Sequence, residues 1–140
     1  GQAAKIFHEI AKRNINVDMI IQNASIEGRA DVTFTVPRID LKEALNVAEK
    51  IKKDLGAKEV LHDSKIAKLS VVGIGMRSHC GVAEKMFSVL AIEKINIQMI
   101  STSEIKISCV IDEGHADRAL RAVHTAFGLD KVEKEEVVKV

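Results

Sequence analysis

Tryptophan and tyrosine are absent from this chain, and phenylalanine occurs four times in 140 residues. No aromatic platform for stacking nucleobases is therefore on offer. Charge of one sign is missing too. Lys and Arg number 21 against 20 Asp and Glu, a net charge of +1, so no field steers the chain to nucleic acid or to an anionic membrane. No apolar run approaches the roughly 20 residues that cross a bilayer, and no secretory leader pattern is present. Nucleic acid and membrane are not expected partners. Two cysteines, Cys80 and Cys109, are too few for a disulfide framework, and a reducing, cytoplasmic setting is expected.

Catalytic signatures are also lacking. There is no Gly-rich dinucleotide loop, no phosphate-binding P-loop, no HExxH and no GxSxG. Ser78, His79 and Cys80 are consecutive, so they cannot face one another as nucleophile and base, and no further group orders them. His79, Cys80 and Cys109 lack metal-ligand spacing such as CxxC, so no metal site is expected. His8, His62, His115 and His124 are expected at solvated edges of helices and strands.

What the chain does have is a repeat. GQAAKIFHEIAKRNINVDMI (residues 1–20) lies over GVAEKMFSVLAIEKINIQMI (81–100) at a shift of 80 with no gap, and nine of twenty positions are identical. A single long shift of this kind means two copies of one small domain rather than a solenoid. Apolar residues make up 46% of the chain, enough for globular cores.

The second copy is the clearer one. Residues 66–75 (IAKLSVVGIG) read as a largely buried strand, 76–81 as a loop with Ser78 as a candidate helix cap, and Ala83, Met86, Phe87, Leu90 and Ala91 as one apolar helical stripe. Residues 95–102 alternate, with Ile95, Ile97 and Met99 expected on one face, and 105–111 alternate through Ile105, Ile107, Cys109 and Ile111. After a turn at 112–114, a helix over 116–127 is expected to point Ala119, Leu120, Val123 and Phe127 inward, and 136–140 is a candidate last strand. The first copy repeats the order from inside the strand-to-helix turn: a helix to about Arg13, strands over 15–22 and 31–36, and a helix over 41–55. Asp40 and Glu43 form a capping-box variant before that helix, and 59–62 is a short closing strand. By the repeat, some fifteen residues equivalent to 66–80 are expected before Gly1, which makes the chain a fragment or one whose start is unseen.

The expected fold is α+β: two ferredoxin-like βαββαβ units packed through their sheets, the first (1–64) without its opening strand, the second over 65–140, with 63–65 as a short linker. Each unit has a thin core, so pairing of sheets within or between chains, and a homodimer, are expected.

Binding chemistry is better represented than catalysis. The loop ending at Gly81 enters a helix N-terminus, whose free N–H groups and partial positive charge suit a carboxylate. The adjacent strand offers Asn96, whose amide can accept from an ammonium, and Gly1 and Asn16 repeat the pair, with Gln22 further along the strand. Such a combination suits a free α-amino acid, although turn glycines and edge amides alone would look the same.

LSVVGIGMRSHCGVAEKMF followed by INIQMISTSEIKISCVIDE resembles the C-terminal ACT domain of aspartate kinases, QMISTSEIKISCVI being the most specific part. NINVDMIIQNAS and DVTFTVPR resemble the first ACT domain of the same tandem, and together the likeness reaches about Asp130. This resemblance implies a regulatory region, C-terminal in a kinase or a separate β subunit, that binds threonine, lysine or both and feeds back on the phosphorylation of aspartate. That step leads to lysine, threonine and methionine. The resemblance also implies two composite effector sites. One uses Gly1, Ala3 and Gln22 facing Asn96 and Ile97 of a second ACT unit. Its twin uses Met76, Ser78, His79, Gly81 and Val82 facing Asn16, Val17 and Asp18. Cys80 departs from the proline usual before that glycine, and the acidic loop residue of the first site would precede Gly1. It implies no cofactor in this chain, ATP and magnesium belonging to the kinase domain, and it implies a kinase catalytic domain or α subunit as partner. The competing reading is a ligand-free ACT-type dimerisation module of another enzyme.

Overall fold

The computed structural model describes residues 1–24, 30–73 and 81–130. Two compact units result, Gly1–Ser64 and Lys65–Val140, and each is α+β with antiparallel strands.

The first unit runs α1 (Gln2–Lys12), β1 (Ile20–Ala24), β2 (Ala30–Phe34), a 3-10 turn (Arg38–Asp40) and α2 (Leu41–Leu55). β1 and β2 form a hairpin in which Ile20 faces Phe34 and Ala24 faces Ala30. Its core is Ile10, Ile15, Ala44, Val47 and Ile51, with Phe7 meeting Phe34 edge to face at 5.6 Å. Two expectations fail here. Residues 59–62 join no ladder, because the two-stranded sheet leaves no partner beside them, and Leu61 lies exposed. Asp40 forms no capping box. The turn that Pro37 opens puts Asp40 in helical rather than extended backbone, its side chain caps nothing, and Glu43 instead accepts from the Arg13 guanidinium.

The second unit runs β3 (Ile66–Val72), α3 (Val82–Ile92), β4 (Met99–Thr102), β5 (Lys106–Asp112), a 3-10 turn (Glu113–His115) and α4 (Ala116–Ala126). The sheet order is β3-β5-β4, so β5 is central. Met86, Leu90, Ile95, Ile107, Cys109, Ile111, Ala119 and Val123 form the core between sheet and helices. On the other face of β5, Ser108 and Val110 are buried as well, and the Ser108 hydroxyl lies 2.7 Å from that of Ser70. Three side chains differ from expectation: Ala91 and Leu120 are exposed, each one step past a buried helical residue, and Ile105 is exposed because it precedes β5. His115 is half-buried, not solvated, and its Nδ1 is enclosed without a partner. Ser78 and the proposed strand over 136–140 lie outside the described residues.

The repeat persists in backbone detail. α1 ends with the Asn14 amide donating to the Ala11 carbonyl and the Ile15 amide to that of Ile10; α3 ends with Lys94 to Ala91 and Ile95 to Leu90. Both are Schellman endings, with left-handed Asn14 (φ 54°) and Lys94 (φ 56°), and both are sealed by an apolar pair, Ile10/Ile15 and Leu90/Ile95. Each is followed by a β-bulge. Met99 is the register partner of Val110, and the Gln98 amide also donates to the Val110 carbonyl at 2.8 Å. In the first unit the Asp18 amide donates to the Thr35 carbonyl at 3.1 Å while the Thr35 amide donates to that of Met19 at 3.0 Å. The bulge corrects the expected alternation: Ile95 and Ile97 face the helices, but Met99 pairs with Val110 on the opposite face.

One ion pair also recurs, with its signs exchanged. Arg13 at the end of α1 meets Glu43, third residue of α2. Its counterpart in the second unit is Glu93 at the end of α3, 3.7 Å from Arg118, third residue of α4.

Candidate functional site

Each unit presents two candidate surfaces. At the start of α1, Gly1 is the N-cap, and no side chain caps the free amides of the first turn, which includes Ala3. At the start of α3 the N-cap is Gly81, in left-handed backbone with φ 90°, followed by Val82. A Cβ at Gly81 would meet nothing within 4 Å among the described residues, and it is the left-handed backbone there that favours glycine. Glu84 stands in the first turn of α3 and accepts from the Ser88 hydroxyl at 2.8 Å, which draws its carboxylate along the helix.

At the other end of each helix come the amide-bearing segments. Asn16 is exposed, Val17 packs into the first core, and Asp18 is the first bulge residue. Asn96 is likewise exposed and Ile97 packs into the second core. The apolar residue between exposed polar ones anchors the segment, and the Schellman ending fixes where it begins.

This placement corrects the pairing read from spacing alone. Gly1 and Asn16 lie at opposite ends of α1, and Gly81 and Asn96 at opposite ends of α3. An 11-residue helix is about 16 Å long. An α-amino acid carries both charged groups on one carbon and cannot span that distance. Gln22 fits the helix start better. β1 returns along α1, as the Phe7–Phe34 contact beside Ile20 requires. At about 3.3 Å per residue the six steps from Asn16 to Gln22 cover about 20 Å, back to the level of Gly1. Gln22 is exposed there. Thus Gly1, Ala3 and Gln22 mark one end of the first unit, and Asn16, Val17 and Asp18 the other. Gly81 and Val82 mark one end of the second unit, and Asn96 and Ile97 the other. Met76, Ser78 and His79 lie outside the described residues.

The titratable groups with displaced pKa values stand away from these ends. Glu9, on the outer side of α1, accepts from Lys12 at 2.9 Å and Lys50 at 3.2 Å, and these bonds bring its pKa down to about 2. The Cys109 thiol is pushed up to about 11 by burial, which makes it unreactive. No cluster of three metal-ligating side chains occurs among the described residues, and no helix among them is long and apolar enough to cross a membrane. The α3–α4 seam opens into a groove of about 810 Å³ lined by Val89, Ile92, Arg118 and Arg121 among others. Composition gave no sign of it.

Comparison with known proteins agrees with this division into units. The ACT domain family model matches residues 1–51 and 69–127. Aspartate kinase of Pseudomonas putida is 55% identical over 130 residues, covering 93% of this chain and 32% of that protein. Aspartokinase of Corynebacterium glutamicum is 43% identical, covering 92% of this chain and 31% of that protein. The chain thus spans about a third of the length of the curated relatives it matches. A solved structure of aspartokinase alpha and beta subunits is similar at 50% identity and a TM-score of 0.84, covering 91% of this chain and 84% of that one. The ligand-free regulatory subunit of aspartate kinase from Thermus thermophilus matches at 43% identity and a TM-score of 0.84, with the same coverage. Two ACT matches, one per unit, and a regulatory subunit covered over most of its length lead to one conclusion: this chain belongs to the ACT-domain family and corresponds to the regulatory region of aspartate kinases.

Proposed function

We propose that this chain senses threonine, lysine or both and passes the signal to an aspartate kinase catalytic domain or α subunit as feedback inhibition. In this reading it works as a homodimer in the cytoplasm, and ATP and magnesium act only on the kinase part. One observation carries the reading. Each unit has a helix start with no side-chain cap, whose N–H groups suit a carboxylate, at one end and an exposed Asn beside an anchored apolar residue at the other. Neither end suffices alone, and the resemblance pairs unlike ends of two ACT units: Gly1, Ala3 and Gln22 with Asn96 and Ile97, and the loop at Gly81 and Val82 with Asn16, Val17 and Asp18. Backbone N–H groups then hold the effector carboxylate, and side-chain amide oxygens accept from its ammonium. A ligand held by two units favours the arrangement in which both ends meet. Only that difference in affinity between arrangements can reach a remote kinase domain. The coupling expected of such a device is about 1–3 kcal/mol.

Calorimetric titration with threonine and with lysine tests this. Binding by the intact chain is expected, weakened by roughly 1–3 kcal/mol in Asn96→Ala and in Gln22→Ala, because each leaves a polar group of the bound effector unpaired. Unchanged affinity in both variants would misplace the pocket. Absence of any binding, with a stable dimer in light scattering, would favour a ligand-free dimerisation module.

A further inference from the structure

The two bulges are built alike in the backbone but not in the side chains. In the first unit Thr35 makes three bonds to two residues. Its amide donates to the Met19 carbonyl, its carbonyl accepts from the Asp18 amide, and its Oγ1 accepts from the Met19 amide at 3.0 Å. In the second unit the residue opposite Met99 is Val110, which has no side-chain oxygen, and the bulge is held by backbone bonds alone. Met19 is 4% exposed, so its N–H has little access to water and depends on the Thr35 hydroxyl.

We propose that Thr35 is a positioning residue for the segment Asn16, Val17 and Asp18. Its hydroxyl latches the bulge at Met19, and the bulge sets the direction in which the three preceding residues leave the sheet. The chain therefore carries one preset arm, at Asn16–Asp18, and one adjustable arm, at Asn96–Ile97. This rests on reading both segments as parts of effector sites. A preset arm loses less freedom on binding, so the site it serves is the tighter of the two.

The test uses Thr35→Val, which keeps the shape and removes the oxygen, and Thr35→Ser, which keeps the oxygen. Amide hydrogen exchange by NMR comes first. In Thr35→Val the Met19 and Asp18 amides are expected to exchange at least about tenfold faster, with Gln98 and Met99 unchanged, and Thr35→Ser restores protection. Calorimetry with threonine and with lysine follows. The tighter binding event is expected to weaken about five- to tenfold in Thr35→Val, the loss of one hydrogen bond, and to recover in Thr35→Ser, while the weaker event stays as it was. Unaltered Met19 exchange overturns the latch. Faster exchange with both affinities intact overturns the positioning role and leaves the effector reading standing. Equal weakening of both events points to general destabilisation and also overturns it. If the unmodified chain binds neither amino acid, the effector reading itself fails and the positioning role falls with it, whatever the exchange shows.

Discussion

At the scale of the residue, Lys94 holds a left-handed backbone with φ 56°, a conformation that Asn tolerates and Lys does not favour. Asn14 occupies the matching place in the first unit. Lys94→Asn is expected to stabilise the chain by about 0.5 kcal/mol, seen as a rise of a few degrees in melting temperature; a fall would mean that Lys94 has a role the backbone does not reveal. Glu9 carries a pH signature. Its pKa, lowered from 4.5 to about 2 by bonds from Lys12 and Lys50, makes a stabilising contribution that is complete above pH 4.5 and lost as pH falls towards 2. Glu9→Gln is expected to flatten that part of the acid-unfolding curve, its loss of stability being largest above pH 4.5 and vanishing as pH approaches 2. Cys109 acts at the other end of the scale: unfolded, its thiol titrates near 9, and burial raises that to about 11. The folded state therefore loses stability between those values, and a thiol reagent at pH 8 is expected to label Cys109 only after denaturant is added. Burial of Cys109 was legible from its place in an alternating apolar run. The strain at Lys94 was not, because nothing in a lysine announces positive φ.

At the scale of the element, helices were the easiest features to read and strand faces the hardest. The expected helix over 41–55 coincides with α2, because its apolar spacing and the glycine at 56 agree. The segment 95–102 alternates in sequence yet only Met99–Thr102 is laddered, and the bulge at Gln98 and Met99 shifts the faces by one residue. A bulge depends on a partner strand that local pattern does not contain. The same limit explains Leu120: its spacing matches the α4 stripe, but Ala119 and Val123 meet the sheet and Leu120 is 55% exposed. Leu90→Ala, at a fully buried position in α3, is expected to cost about 2–5 kcal/mol in denaturant unfolding, whereas Leu120→Ala should remain within about 0.5 kcal/mol. Comparable losses would put Leu120 back in the core.

At the scale of the whole molecule, the repeat was the feature that made both architecture and candidate site visible. Two glycines and two asparagines 80 residues apart are conspicuous in the sequence, but which glycine serves with which asparagine is not. That depends on helix length, and helix length separates the nearest pair by about 16 Å. A duplicated chain also meets a sorting problem that a single domain escapes. As it folds, α1 and α3 are near copies, and each could settle against the wrong partner helix. The sign-exchanged ion pairs bear on that error. α1 against α4 would set Arg13 facing Arg118, and α3 against α2 would set Glu93 facing Glu43, so both native attractions become repulsions. Either pair alone, exposed as it is, adds little to the native state. Their worth lies in the crossed arrangement they penalise, much as two plugs of one shape are told apart by polarity. Reversing one pair alone, Arg13→Glu with Glu43→Arg, would give both halves the same polarity, and the expected cost is a lower yield of correctly refolded protein from denaturant rather than a lower melting temperature.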